Sequence, residues 1–163
     1  MSKLISVVFV FMAGFMISLE YTQNHKNENK FTKGLISVFE YMSGEIFFEH
    51  NFLGETLKNS AAYGADSREY IEAIAEKIIN KASAKEAFLS VDVKIKGKVY
   101  DILYEYFSQA GMFDSNTEKD KLNSTVLKLK TVEREQEEFI KITVNQNRKI
   151  IMAFTVLVCI FML

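Results

Sequence analysis

The sequence of 163 residues contains no proline and no tryptophan, and it has one cysteine and seven glycines. Proline and glycine are the residues least compatible with a helix interior, so their scarcity favours long helices. The single cysteine, Cys159, excludes an intrachain disulfide and a CxxC metal motif. These absences predict an all-α fold.

The sequence also lacks an excess of charge of either sign. It has 20 Lys and Arg against 21 Asp and Glu, which gives a net charge of -1. Proteins that bind nucleic acid through its phosphates need a basic surface that releases counterions. We therefore expect no nucleic-acid partner.

Charge is missing altogether from two segments near the ends of the chain. Residues 4–19 and 150–163 contain no ionisable side chain except Cys159, whereas all 21 acidic residues lie between Glu20 and Glu138. A helix of residues 4–19 would be about 24 Å long, against roughly 30 Å for the hydrocarbon core of a bilayer. The pattern predicts transmembrane anchors at residues 1–19 and 150–163, each short for a span.

Basic residues next to these segments predict the topology. Lys3 precedes the first segment and Lys26, Lys30 and Lys33 follow it, while Arg148 and Lys149 directly precede the second. Because the basic excess at both segments falls on the central portion, and basic flanks stay in the cytoplasm, residues 20–149 are predicted to be cytoplasmic. Two alternatives are a cleaved signal peptide at the N-terminus and burial of both segments in one globule.

The middle of the chain predicts a bundle of about six helices. Residues 20–30 lack hydrophobic periodicity and predict a tether, and residues 31–149 form the predicted bundle. Apolar residues at steps of three and four predict a first helix that ends near His50, a turn at 51–54 and a second helix at 55–62. The apolar stripe of the first helix comprises Leu35, Val38, Phe39, Met42, Ile46 and Phe47.

Three pairs of residues three positions apart predict capping boxes that open later helices. They are Asp66 with Glu69, Ser83 with Glu86, and Ser115 with Glu118. The last pair would open one continuous helix over 116–163, and a fifth helix would end at Gly111. Residues 91–98 alternate like a strand, but an unpartnered strand is improbable, so we predict a helix end and a loop there.

Motifs for catalysis and for cofactor or metal binding are absent from the sequence. It contains no phosphate-binding glycine motif, no G-x-S-x-G and no Glu-x-x-His. The two histidines, His25 and His50, have no positional reason to meet a nucleophile. We therefore predict a non-enzymatic protein without a cofactor or a metal.

Four acidic residues near the end of the bundle form the candidate partner interface. Glu133, Glu135, Glu137 and Glu138 are either a solvated helix face or an acidic strip that docks a basic partner.

Three local sequence patterns resemble the stage III sporulation protein AB family. Glu45 and Ile46, followed by Leu53, Glu55 and Leu57, are similar to the end of the family's first helix and its second helix. In this sequence Phe52 and Gly54 replace the family's two prolines. The segment 83–88 is similar to the family's Ser-Ala-x-Glu-Ala-Trp pattern. Gly111 and Asp114 are similar to residues of the family's loop before the long last helix.

This resemblance implies a component of the channel between mother cell and forespore, on the mother-cell membrane. The family is similar to the F-type inner-membrane platform proteins of type II secretion. The implied partners are the secretion-type ATPase, stage III sporulation protein AA, and other channel components, with the chain oligomeric in the complex. The alternative is a membrane-anchored helical sensor or regulatory adaptor.

Overall fold

The structure of the chain, a computed structural model, describes residues 2–48, 53–92, 95 and 97–162. Within these residues the fold is all-α and contains no strand, as predicted. The helices are α1 (Ser2–Phe48), α2 (Leu53–Ala61), α3 (Arg68–Ile79), α4 (Ala84–Ser90), α5 (Lys98–Phe107), α6 (Ser115–Phe139) and α7 (Asn145–Met162). A short 3-10 helix, Ala65–Ser67, precedes α3.

Helix α1 differs from the sequence prediction because it continues through residues 20–30, where a tether was expected. The polar residues of this segment predict solvation. Two of them are instead buried, since Thr22 is 6% exposed and Asn29 is 7% exposed. The polar side chains therefore belong to helix packing and do not mark a flexible connection.

The bounds of α2 and α3 also differ from the prediction. Helix α2 begins at Leu53, inside the predicted turn, and residues 49–52 lie outside the described residues. The predicted capping box at Asp66 is wrong, because the 3-10 helix ends at Ser67 and Ser67 caps α3 without a side-chain hydrogen bond. A 3-10 turn supplies the backbone bonds that lead into α3.

The capping box at Ser83 is confirmed. The Ser83 hydroxyl accepts a hydrogen bond from the Glu86 backbone N–H at 3.2 Å, and the Glu86 carboxylate accepts one from the Ser83 N–H at 3.2 Å. Two donors at the start of α4 are thus satisfied reciprocally. The hydrogen bonds from Ser83 lower the pKa of the Glu86 carboxyl.

The connections around α5 need glycine in two places. Gly97 and Gly111 have φ values of 71° and 77°, in a region that side-chain-bearing residues rarely adopt. Residues 91, 92 and 95 belong to neither helix nor strand, which agrees with the predicted helix end and loop; residues 93, 94 and 96 lie outside the described part.

The predicted long last helix is present. Helix α6 passes into a π-helical turn, Ile140–Val144, and then into α7 without a break. Within this run the described residues contain neither proline nor glycine. A π-helical turn contains one more residue per turn than an α-helix does.

The described residues divide into two compact units. The helix-pair unit contains residues within 1–28 and 135–163, and the bundle unit contains residues 29–134. The bundle unit has one apolar core, in which Phe39, Phe88 and Phe107 are at most 1% exposed. Phe88 stacks on Phe107 at 5.3 Å, and Phe39 meets Tyr106 edge-on at 4.9 Å between ring centroids.

Candidate functional site

The two apolar segments pair with each other inside the helix-pair unit. The closest approach is at Gly14, where an added Cβ would lie 2.2 Å from Thr155 Oγ1 and 2.5 Å from Thr155 Cγ2. One turn further along each helix, Ser18 is 2% exposed and Cys159 is 8% exposed. Small and weakly polar residues therefore form the seam between the helices.

The direction of the pair follows from contacts at its two ends. The Cys159 thiol lies 3.7 Å from the Val7 carbonyl oxygen, and the Asn147 side-chain amide donates to the Tyr21 hydroxyl at 3.1 Å. Val7 near the start of α1 meets Cys159 near the end of α7, and Tyr21 further along α1 meets Asn147 near the start of α7. The two helices are therefore antiparallel.

Aromatic and polar rings lie together at the end of the helix-pair unit that contains Tyr21. The His25 ring meets Tyr21 edge-on at 5.0 Å and Phe139 edge-on at 5.3 Å. His25 Nδ1 is 3.5 Å from the Glu28 carboxylate. Such amphipathic rings are typical of the boundary between hydrocarbon and water.

Two described helices are long and apolar enough to cross a membrane. They are Ile5–Gly44 and Asn116–Phe161, whose most apolar 18-residue windows have mean hydropathies of 1.8 and 1.2. Only 11% and 17% of these windows are buried. Phe9, Met16, Phe154 and Phe161 are among the large apolar side chains that the helix-pair unit leaves exposed.

The membrane-flanking residues lie at the ends of these helices. Lys3 is in the first turn of α1, and Arg148 and Lys149 are exposed in the first turns of α7. The exposure of Arg148 and Lys149 allows both side chains to reach water or lipid headgroups.

The four predicted interface acids do not share one face of the helix. Residues of an α-helix are about 100° apart, so Glu133 and Glu137 lie on one side, and Glu135 and Glu138 on another. Glu133 and Glu137 are half-buried, whereas Glu135 and Glu138 are exposed. Glu133 pairs with Lys33 at 3.3 Å, and Glu137 with Lys141 at 3.9 Å.

The family-motif positions have different structural roles. Glu45 and Ile46 lie in the last turn of α1, and Leu57 is fully buried in the core. Leu53, Glu55 and Gly111 line one groove of the bundle unit together with Ile78 and Ile79. An added Cβ at Gly111 would lie 3.7 Å from Leu53 Cδ2, so this motif pair is in direct proximity.

Asp114 caps α6 one residue before Ser115, where a capping box is predicted, and the Ser115 side chain lies outside the described part of the chain. The Asp114 carboxylate accepts a hydrogen bond from the Thr117 hydroxyl at 2.5 Å, and this bond lowers the pKa of Asp114. The Glu118 carboxylate reaches past the cap and accepts from the Gly111 backbone N–H at 3.3 Å. The cap therefore begins one residue earlier than the sequence pattern suggests.

Glu118 is a buried carboxyl, although the sequence pattern predicts only that it is part of a cap. It is 6% exposed, and burial raises its pKa, although the hydrogen bond from Gly111 opposes this rise. Burial also raises the pKa of the neighbouring Tyr106, and the Glu118 charge adds to that effect. No sequence pattern distinguishes this carboxyl from a solvated one.

A charged cleft between α1 and α6 was also missed. It is lined by Lys33, Lys130, Glu133 and Arg134 beside the apolar Ile36 and Leu127. Lys130 Nζ lies 2.7 Å from the Glu40 carboxylate, so part of this charge is neutralised within the bundle unit. The cleft joins residues about a hundred positions apart, which periodicity along one helix cannot bring together.

The described residues contain no group of three or more His, Cys, Asp or Glu side chains placed to hold a metal ion. Their fold and surface define a class of helical protein in which a compact bundle is joined to a pair of exposed apolar helices. The sequence model of the stage III sporulation protein AB family matches residues 3–163, and the chain therefore belongs to that family. It is a family of sporulation proteins and not a known enzyme family.

No match to this chain was found among curated proteins or among solved structures.

Proposed function

We propose that this chain is a non-enzymatic platform of the sporulation channel between mother cell and forespore. Residues 1–19 and 150–163 would anchor it in the mother-cell membrane, and the bundle of residues 31–149 would lie in the cytoplasm. There it would couple a secretion-type ATPase, stage III sporulation protein AA, to the other channel components, as one of several copies. The observation that carries the proposal is membership of the sporulation family over residues 3–163.

The exposed apolar surface of the helix-pair unit supports membrane anchoring. A water-soluble unit would bury its large apolar side chains, yet Phe9 is 68% exposed and Phe161 is 83% exposed. Lipid hydrocarbon would solvate these side chains at no cost.

The antiparallel pairing supports a cytoplasmic location of the middle of the chain. When two paired antiparallel helices cross one membrane, the segment that joins them emerges on a single side. The cationic Arg148 and Lys149 lie at the joined end of α7, and basic residues are retained in the cytoplasm.

Two surfaces of the chain are candidates for binding the ATPase. One is the pair of exposed acids, Glu135 and Glu138, which suits a basic partner. The other is the groove that contains Leu53, Glu55 and Gly111, beside which Ile79 is 46% exposed. Apolar side chains at the centre of an interface with charges at its rim are typical of protein docking sites.

The first experiment measures which side of the membrane contains the bundle. In a full chain in which Cys159 is replaced by alanine, single cysteines are introduced at the exposed positions Asp92 and Asn116. An impermeant thiol reagent should label both only after the cells are permeabilised. A cysteine at Ser2 is the opposite-side control and should be labelled in intact cells. Labelling of Asp92→Cys or Asn116→Cys in intact cells would exclude a cytoplasmic ATPase platform.

The second experiment tests the partner surface by pull-down of the ATPase with the full chain in detergent. Glu135→Lys with Glu138→Lys should weaken binding if the acidic surface docks the ATPase, whereas Ile79→Asp should weaken it if the groove does. Lys58→Glu on the exposed side of α2 is the control for a charge change elsewhere. Unchanged binding in all variants would contradict both surfaces.

A further inference from the structure

We propose that α1 is the docking partner that holds α7 in the bilayer, so that the two anchors insert as one pair and not as two independent spans. The inference rests on the membrane anchoring proposed above. It assigns a function to the seam of small residues at Gly14, Ser18, Thr155 and Cys159.

The lower hydropathy of the C-terminal helix is the first argument. The mean hydropathy of the best 18-residue window is 1.2 in this helix, against 1.8 in α1. Helix α7 is therefore the weaker span and gains more from a partner already in the membrane.

The geometry at Gly14 is the second argument. An added Cβ at Gly14 would lie 2.2, 2.5 and 2.9 Å from the Oγ1, Cγ2 and Cβ atoms of Thr155. The Thr155 Cβ atom is fixed by the backbone, so no change of rotamer removes the 2.9 Å contact. The two backbones approach this closely only because residue 14 is glycine. Close backbone approach through small residues drives helix association in membranes.

The distribution of polarity around α7 is the third argument. Thr155 is 7% exposed and Cys159 is 8% exposed, whereas Phe154 and Ile160 on the outer face are 67% and 65% exposed. The Thr155 hydroxyl donates to the Ile151 carbonyl oxygen at 2.8 Å, which satisfies it inside its own helix. Within residues 150–161 the two weakly polar side chains therefore face α1, and all the exposed side chains are apolar.

The same separation occurs on α1. Gly14, Ser18 and Thr22 recur at every fourth position, and Thr22 donates to the Ser18 carbonyl oxygen at 3.0 Å. Ser18 and Thr22 are buried, whereas Met12 and Met16 are 55% and 66% exposed. Each helix thus presents its small, weakly polar face to the other, and this complementarity identifies the C-terminal segment of the same chain as the occupant.

Cross-linking in native membranes tests the pairing. Val7→Cys, combined with the native Cys159, is oxidised with copper phenanthroline in the full chain. The Cys159 thiol lies 3.7 Å from the Val7 carbonyl oxygen, so an intramolecular disulfide is expected. Phe9→Cys is the matched control, because position 9 has a similar depth but is 68% exposed. Equal cross-linking at the two positions, or disulfide-linked dimers only, would overturn the inference.

A second variant tests whether α7 depends on the pairing. Gly14→Leu makes α1 more apolar but blocks the approach of Thr155, and Ala13→Leu adds the same side chain at an exposed position. In chains with Cys159→Ala and a cysteine added after Leu163, external labelling in intact cells reports insertion of α7. We expect Gly14→Leu to lose most of this labelling and Ala13→Leu to keep all of it. Full labelling of Gly14→Leu would overturn the dependence.

Membrane fractionation separates this inference from the proposed function. Unaltered chain that sediments with carbonate-washed membranes but forms no Val7→Cys disulfide contradicts the pairing and leaves the platform proposal intact. A chain recovered in the soluble fraction contradicts both.

Discussion

The two units of the molecule bury opposite kinds of side chain. In the bundle unit the buried residues are large and apolar, with Phe39, Phe88 and Phe107 at its centre. In the helix-pair unit the buried seam contains Ser18 and Thr155, and the phenylalanines of that unit face outward. Water drives large apolar side chains into a core, whereas lipid exerts no such drive and leaves association to close packing of small residues. The contrast indicates a different solvent around each unit.

The largest expected effect comes from emptying the aromatic core. Phe107→Ala should lower the free energy of unfolding by about 3–5 kcal/mol, because the removed ring leaves a cavity. Phe154→Ala in the helix-pair unit, where the side chain is 67% exposed, should change it by no more than about 0.5 kcal/mol. Thermal unfolding of the full chain in detergent, followed by circular dichroism, measures both. Similar losses would contradict the difference between the units.

The next effect is expected at a close approach inside the bundle unit. An added Cβ at Gly34 would lie 2.0 Å from the Gly64 carbonyl oxygen, a backbone atom that cannot rotate away. Gly34→Ala should therefore cost about 1–3 kcal/mol. Gly44 has no atom within 4 Å of its added Cβ, so Gly44→Ala should stabilise α1 by about 0.5–1 kcal/mol. The same melting experiment should show shifts of opposite sign, and shifts of one sign would contradict the crowding at Gly34.

A smaller effect is expected at the start of α4. Ser83→Ala removes the cap and should cost about 1 kcal/mol. Asp66→Ala is the control, because the start of α3 is capped without an aspartate side chain. The midpoints of urea unfolding compare the two variants. An equal loss of stability in Asp66→Ala would contradict the assignment of the α3 cap to Ser67.

The smallest change at neutral pH is expected at Glu118. Its pKa is raised by burial, so the folded state binds a proton more tightly than the unfolded state does. Stability therefore falls as pH rises from the ordinary glutamate value through the raised one. Glu118→Gln keeps an acceptor for the Gly111 N–H but should remove this fall. Unfolding midpoints between pH 4 and pH 7 measure the slope, and an unchanged slope would contradict the assignment to Glu118.

Much of the fold was predictable because it follows from local chemistry. The absence of proline predicted long helices, the charge-free segments predicted two apolar helices, and the reciprocal bonds of Ser83 and Glu86 are local in sequence. The pair at Asp66 and Glu69 has the same spacing, but Ser67 occupies the cap position of α3. At the start of α6, Asp114 occupies the position before the first helical residue. Spacing alone cannot rank two adjacent acceptors.

The polar residues were the harder part of the prediction. Asn29 was assigned to a tether because asparagine is usually solvated, yet its side-chain amide donates to the Glu133 carbonyl oxygen at 3.3 Å. That partner lies 104 positions away. The faces of Glu133 to Glu138 likewise depend on which side of α6 packs, which the sequence of α6 alone does not determine. Long-range pairing is the information that periodicity lacks.

The π-helical turn at Ile140–Val144 has a consequence for how the chain tolerates changes in length. Such a turn arises when one residue is added to an α-helix without breaking it. Phe139 packs on His25 before the turn, and Asn147 meets Tyr21 after it. Deletion of one residue within 140–144 would convert the turn into ordinary α-helix and leave Thr155 facing Gly14. Deletion of one residue from the regular helix between the turn and Thr155 would instead rotate Thr155 by about 100°, away from Gly14. The last helix therefore tolerates the loss of one residue inside the π-helical turn and nowhere else before Thr155.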